Sequence, residues 1–394
     1  MATNDLTITQ ISTLLNSVVA QATGKANIST VNGSDFATVA QVGLKTGYDP
    51  LLSAIGQVLS ETIFSIRPYS RKFAGLNVSN QRFGNITRKL NISDGDFQDD
   101  ERLPLTDGVS VDMYAVKKPS VLQTNYYGAN TYEKYITIYK DQLDTAFSNP
   151  DEFAQFMTMV TQNTIDMIEQ AHETLARAIL CNFIAGKISA NSGVVHLCTE
   201  YCAYSGTAIP DGSTATKVCN TSEVYPSFIR WAYGRIAALS AMLTERTVNF
   251  NINVTGKPVT RHTPYRMQKV YLYAPEEYSI TARVIADTFH DTYLKLADHE
   301  MVNFWQSVKT PDKINVKPIY LKNDGTLTSP TSAVNQANVF GVIFDEDAVG
   351  YTVCNQWQQA TPFNARGGYS NLFWHFTDRY WNDFTENGIV LLMD

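Results

Sequence analysis

The 394-residue sequence predicts an α+β fold, and three observations carry that prediction. From Asn149 onward, apolar residues keep helical spacing for about 36 residues, or about 54 Å at 1.5 Å per residue. Two limbs within residues 76–131 alternate in the manner of strands. The chain closes on a continuous apolar run at residues 387–393, the pattern of a central strand buried on both faces.

The elements follow in order. Residues 1–48 are poor in charge and in large apolar side chains and read as an N-terminal arm with one short amphipathic stretch, Leu6 to Val19. Alone it cannot bury a core, so it either flops or lies on a neighbour. Residues 49–75 open with Asp49 as N-cap and Pro50 at N1. Leu51, Leu52, Ile55, Val58, Leu59, Ile63 and Phe64 then give a helix. In residues 76–131 the limbs NVSNQRFGNITRKLNI and SVDMYAVKKPSVLQTNYY flank an acidic connector, DGDFQDDERLPLTDG. So long a ribbon folds over its own body or over another chain. Residues 132–186 hold the long helix: Asn149 caps it, Pro150 starts it, Asp151 and Glu152 suit its dipole, and Gly186 offers a stop. Residues 187–222, rich in Gly, Ser and Thr with three cysteines, read as an inserted loop or lobe. Residues 223–385 contain a helix from Glu223, a strand at Val270 to Ala274, a helix from Pro275 and strands at 314–321, 339–344 and 350–353. Residues 386–394 supply the last strand, grouped with the long helix.

Composition excludes several classes. The net charge is −7 and basic residues cluster only in pairs, so no phosphate-binding footprint exists. The N-terminus lacks the pattern of a secretory signal, and no run of about 18 apolar residues spans a membrane. The five cysteines are expected as free thiols.

Chemical motifs fail on spacing. His172-Glu173 and His299-Glu300 open a zinc-protease pattern, but Ala176 and Asn303 stand where the second histidine is needed. Residues 206–214 resemble a phosphate loop without its lysine. His196, Cys198, Cys202 and Cys219 are the only set with metal-like chemistry, and Cys219 leaves its far half single, so free thiols are expected and no metal. Asp345-Glu346-Asp347 reads as a solvated turn. No catalytic residue and no cofactor is assigned. The C-terminal aromatics, Trp357 to Phe384, read as core and interface packing; a sugar-binding site would need paired carboxylates, and Asp378, Asp383 and Glu386 are the nearby set.

This order of arm, short helix, long ribbon, very long helix, second α+β unit and final buried strand resembles the Hong-Kong-97-type major capsid protein of tailed bacteriophages. The segments YAPEEYSITARVIADTFHDTYLKLADHEMVNFWQSV (273–308) and RGGYSNLFWHFTDRYWNDFTENGIVLLMD (366–394) are similar to that family's A-domain segment and C-terminal end. The resemblance implies an N-arm, an extended E-loop (76–131), a peripheral P domain with the long helix as spine, and an axial A domain (223–385). It further implies a self-assembling, non-enzymatic subunit forming hexamers and pentamers of an icosahedral-type shell around double-stranded DNA. Partners would be sister copies, a separate scaffolding protein and a portal, with packaged DNA faced without sequence-specific binding and no membrane. The setting would be the virion capsid, assembled in the host bacterial cytoplasm. Arg82, Arg88, Lys89, Lys117 and Lys118 against Asp94, Asp96, Asp99, Asp100 and Glu101 are expected to set electrostatic register between copies. A secreted polysaccharide-binding or degrading module, and a cellular nanocompartment shell of the same fold, are the alternatives.

Overall fold

The computed structural model describes residues 8–23, 50, 54, 71–78, 86–92, 100, 106–114, 116, 118, 120–127, 129–146, 150–280, 299–328 and 332–394. In chain order the first elements are α1 (Ile8–Thr23), β1 (Ile86–Ile92), β2 (Val121–Tyr127), β3 (Asn130–Tyr139), α2 (Lys140–Ala146) and α3 (Pro150–Ala190). There follow β4 (Val194–His196), α4 (Leu197–Ser205), α5 (Ala215–Cys219), α6 (Tyr225–Met242), β5 (Gln268–Tyr273) and α7 (Ala274–Ile280). The last are β6 (His299–Val302), β7 (Ile314–Val316), β8 (Val334–Gln336), β9 (Val339–Asp345), β10 (Val349–Ala360), β11 (Tyr369–Asn382) and β12 (Gly388–Leu392). The helix expected over 49–66 lies outside the described residues except at positions 50 and 54, which are helical.

The chain divides into two compact units. The first comprises residues 1–83, 129–175 and 352–379. Here α1 places Leu15, Val18 and Val19 at helical spacing, and all three are fully covered by the protein's own chain. This part of the arm therefore has a place to pack within its own chain. The sheet of this unit runs β10-β11-β3, with β11 antiparallel to β3 and Tyr369 opposite Tyr139. From Tyr369 to Asp378 strand β11 alternates: Leu372, Trp374 and Phe376 point inward, while Tyr369, Phe373 and His375 stay half-exposed. The aromatic crowding becomes cross-strand pairs, Tyr135 with Phe373 at 5.4 Å and Tyr139 with Tyr369 at 6.1 Å between ring centres. His172 and Glu173, which open one of the two failed zinc patterns, are structural. Arg71 donates to His172 Nδ1 at 2.9 Å, which leaves Nε2 facing the buried Asp378 at 3.3 Å, and Glu173 accepts the Lys72 amide.

The second unit comprises residues 84–128, 176–351 and 380–394. Its five-stranded mixed sheet runs β4-β12-β9-β5-β6, parallel at β4/β12 and β5/β6 and antiparallel elsewhere. Val270, Leu272, Ile343, Ile389 and Leu391 face a cluster from α4, α5 and α6 that includes Leu197, Tyr201, Phe228, Ile236 and Leu239. On the opposite side Phe183 of α3 stacks near Phe344 and Phe384 at 5.6 and 5.2 Å. The terminal strand is thus central and covered on both faces, as its unbroken apolar run requires.

Three differences from the sequence reading have physical causes. The long helix is divided, residues 150–175 in the first unit and 176–190 in the second, so residues 386–394, where β12 inserts between β4 and β9, share a unit only with its C-terminal part. Residues 187–222 are no inserted lobe: β4 pairs with β12, and Leu197, Cys198, Cys202 and Cys219 are core side chains. Helix α3 has 41 residues and passes through Gly186, ending only where Asn191 (φ 48°) and Gly193 (φ 68°) turn left-handed. Gly186 serves packing instead, since a Cβ there would lie 2.6 Å from the Phe384 ring.

Candidate assembly site

The ribbon at residues 86–127 has a short two-stranded base within the second unit. β1 and β2 pair antiparallel, with Ile86 opposite Tyr127 and Ile92 opposite Val121. Because side chains alternate, Lys89 and Asn91 share one face with Thr124, Leu122 and Tyr126, while Arg88, Leu90 and Ile92 share the other with Asn125, Gln123 and Val121.

The first face rests on its own unit through a buried ionic cluster. The Lys89 ammonium lies 2.7 Å from Asp383 Oδ2 and 2.5 Å from Glu386 Oε1. Arg261 donates to Glu386 at 2.9 Å, to Asn91 Oδ1 at 2.8 Å and to the Thr385 carbonyl at 3.2 Å. Thr385 donates twice to Asp383, from its amide and hydroxyl. Lys257 donates to the Val121 carbonyl, tying down the second strand. Burial alone would raise the Asp383 carboxyl, yet Lys89 and the Thr385 donors outweigh it and hold it below the usual carboxylate range. At Glu386 burial wins over Lys89 and Arg261, and its value rises. Burial would lower Lys89, but the two carboxylates hold it above the ordinary lysine value.

The second face is the reverse of a soluble hairpin. Leu90 is 62% exposed, Ile92 68% and Tyr127 69%. The connecting segment continues the pattern, with Met113 79% and Val116 83% exposed. The outward face of the hairpin thus exposes Leu90, Ile92 and Tyr127 together, the kind of feature that accompanies interaction surfaces.

Of the residues expected to set register, Arg88, Asp100 and Lys118 are exposed, whereas Lys89 is taken up by its own chain. Arg82, Asp94, Asp96, Asp99, Glu101 and Lys117 lie outside the described residues. Sequence reasoning missed Arg261, Asp383 and Glu386 as the anchor. The available signal was the alternation of residues 86–92, which puts Lys89 and Asn91 together facing inward. Asp378, Asp383 and Glu386 form no open carboxylate pair: all three are buried and bonded to Tyr132 and His172 or to Lys89 and Arg261. Glu386 also lines a cleft of 550 Å³ with Asp345 and Asp347, beside exposed Arg246, His262 and Arg266. Asp345 is buried and bonded to Thr263, and Glu386 to Lys89 and Arg261, so of the three carboxylates only Asp347 is exposed, not the open pair that sugar hydrolysis needs. Among the described residues no group of three or more His, Cys, Asp or Glu is placed to hold a metal ion. Nor is any described helix long and apolar enough to cross a membrane.

Among solved structures the chain is similar to one in the capsid of Staphylococcus phage Andhra, at 12% identity and a TM-score of 0.56, covering 84% of this chain and 87% of that one. A chain from a structure of the head fiber and inner core protein gp22 of native bacteriophage P68 matches at 13% identity and 0.55, over 84% and 87%. A chain of the cyanophage P-SCSP1u capsid matches at 11% and 0.50, over 84% and 90%. These likenesses give the fold, an α+β capsid fold of the Hong-Kong-97 type. No curated protein matches the sequence. The model of the Phi29-like phage major capsid protein family matches residues 15–392, nearly the whole chain. The chain belongs to that family and is a structural subunit of a phage capsid shell.

Proposed function

We propose that copies of this chain form hexamers and pentamers of a closed shell, with the outward face of each ribbon covered by an adjacent copy. The observation that carries this reading is the inverted ribbon: ionic toward its own body, apolar toward the outside. Covering the remaining two-thirds of Leu90, Ile92 and Tyr127 would contribute about 1–2 kcal/mol each, against about 0–1 kcal/mol for an exposed ion pair. Apolar burial therefore supplies the affinity, and the exposed charges Arg88, Asp100 and Lys118 tune orientation. Each contact is modest, and repetition over many copies holds the shell. The net charge of −7 suits a wall facing packaged double-stranded DNA without binding its sequence. A separate scaffolding protein and a portal complete the assembly, which takes place in the host bacterial cytoplasm; the free cysteines accord with that reducing setting.

The test is a double substitution on the outward face, Leu90→Asp with Ile92→Asp. The subunit should stay soluble with an unchanged unfolding midpoint, and negative-stain electron microscopy should find no closed shells. Shells at the unsubstituted yield would overturn the proposal.

A further inference from the structure

All five cysteines are free, and three converge. Cys198 and Cys202 lie one turn apart on α4, and Cys219 ends α5. Cys202 Sγ is 3.9 Å from Cys219 Sγ, and the Cys219 thiol reaches the Cys198 carbonyl at 3.7 Å. The other two cysteines, Cys181 and Cys354, donate to the carbonyls of Trp305 and Thr352.

Two sulfurs in van der Waals contact need to close by about 1.9 Å to reach the bond length of about 2.05 Å. The architecture permits that movement. α5 is a five-residue helix joined to α4 by residues 206–214, which are mostly exposed and carry Gly206 and Gly212 at positive φ, so it can shift without breaking a sheet ladder. Cys202 and Cys219 are themselves 4% and 0% exposed, beneath residues 203–206 and 220–223, which are exposed, so an oxidant reaches the pair only as α5 and its linker move aside. We infer that Cys202 and Cys219 form a redox pair that closes to a disulfide once the protein leaves a reducing compartment.

The roles within the pair are distinct. Hydrogen bonds from the Cys198 thiol, and from Cys202, hold the Cys219 sulfur below the ordinary thiol range against the effect of burial. Burial pushes Cys202 up to about 11. Once that movement uncovers it, Cys219 loses its proton and attacks a small-molecule disulfide of the glutathione type, forming a mixed disulfide and expelling one glutathione thiolate. Cys202 then gives up its proton and attacks Cys219 Sγ, expelling the second. Two protein thiols are oxidised to one disulfide, one oxidised glutathione is reduced to two thiols, and the two protons pass to them.

The bond would act on the end of the chain. Thr199 of α4 bonds the Asp394 carbonyl from both its amide and hydroxyl, and Thr216 of α5 donates to the Met393 carbonyl. The two helices thus pinch the residues that follow the central strand, and the disulfide would fasten that grip covalently.

The experiment incubates the unsubstituted protein, assembled as isolated, with oxidised glutathione, then denatures it, alkylates with N-ethylmaleimide and measures its mass. The expected result is three alkylated cysteines in place of five, the loss of two hydrogens, and a dithiothreitol-sensitive peptide joining Cys202 to Cys219. Cys198→Ser should leave the crosslink intact, while Cys202→Ser and Cys219→Ser should each abolish it. Five alkylated cysteines, a lasting glutathione adduct, or a crosslink through Cys198 would overturn the inference.

Discussion

Replacing Lys89 by Met keeps most of the side-chain stem while removing the cation that holds the ribbon to its own unit. The ammonium contacts Asp383 at 2.7 Å and Glu386 at 2.5 Å, and the three side chains are 25%, 1% and 8% exposed. Removing one partner of a buried ion pair costs about 3–5 kcal/mol, because the remaining charge is left without compensation. Two features place this case at the low end. Glu386 keeps Arg261, Asp383 keeps both Thr385 donors, and Lys89 is one-quarter exposed, so part of its interaction is already screened. The expected loss is about 3 kcal/mol at pH 7, roughly a hundredfold in the unfolding equilibrium. Urea unfolding of the unassembled subunit measures it, and amide exchange should show β1 and β2 losing protection ahead of the sheet. The pH dependence adds a signature. In the native protein Asp383 sits below its unfolded value, so its contribution is present above about pH 4 and lost as pH falls through the lower folded value. Without Lys89, burial raises Asp383 instead, and a buried carboxyl with a raised value favours the folded state as it protonates. The gap between variant and parent should therefore narrow from pH 7 toward pH 4, and Asp383→Asn should recover part of the loss at neutral pH. A gap below about 1 kcal/mol at pH 7, or one that does not change with acid, would show that the anchor carries no such charge.

Two further substitutions probe the second unit. Lys187 is fully buried, donates to the Phe250 carbonyl at 2.7 Å, and burial lowers its value to about 7, partly offset by Asp383 and Glu386. Since the unfolded lysine titrates near 10.5, the folded state binds fewer protons between these values, and stability should rise with pH across that window at up to about 1.4 kcal/mol per unit. Lys187→Met should flatten the rise in urea unfolding at pH 7 and pH 9, and equal slopes would refute the assignment. Gly186→Ala should gain about 1 kcal/mol of helix propensity yet lose about 1–3 kcal/mol to the Phe384 ring 2.6 Å away, lowering the thermal midpoint; a raised midpoint would mean the ring yields freely.

What the sequence disclosed follows from the range over which its signals act. Periodicity is local, so the long helix from Pro150, the strand and helix meeting at Ala274, and the buried run at 388–392 were all legible. The partner of Lys89 was not, because it lies 294 residues away and no spacing rule links a strand residue to a turn after β11. The role of residues 187–222 was hidden for a related reason. β4 has only three residues, and its meaning comes from a parallel partner at the far end of the chain. Gly186 shows the limit of single-residue rules: a glycine late in a helix reads as a stop, yet whether it stops or admits a ring is decided by Phe384.

The ribbon's inversion also explains why its anchor is ionic. A hairpin held to its body by apolar contacts can slip by one residue, exchanging its faces at modest cost wherever both faces carry apolar side chains. Such a slip here would carry Leu90 onto Asp383 and Glu386 and expose Lys89 to solvent, leaving two buried carboxylates short of their cation. At about 3–5 kcal/mol for the broken pair, that register is strongly disfavoured before any second copy arrives. The ionic contacts need add little net stability to do this, since a buried pair often does no more than offset its own desolvation. Their consequence is that Leu90, Ile92 and Tyr127 are presented on one defined face, which repeated contacts of a closed shell require of every copy.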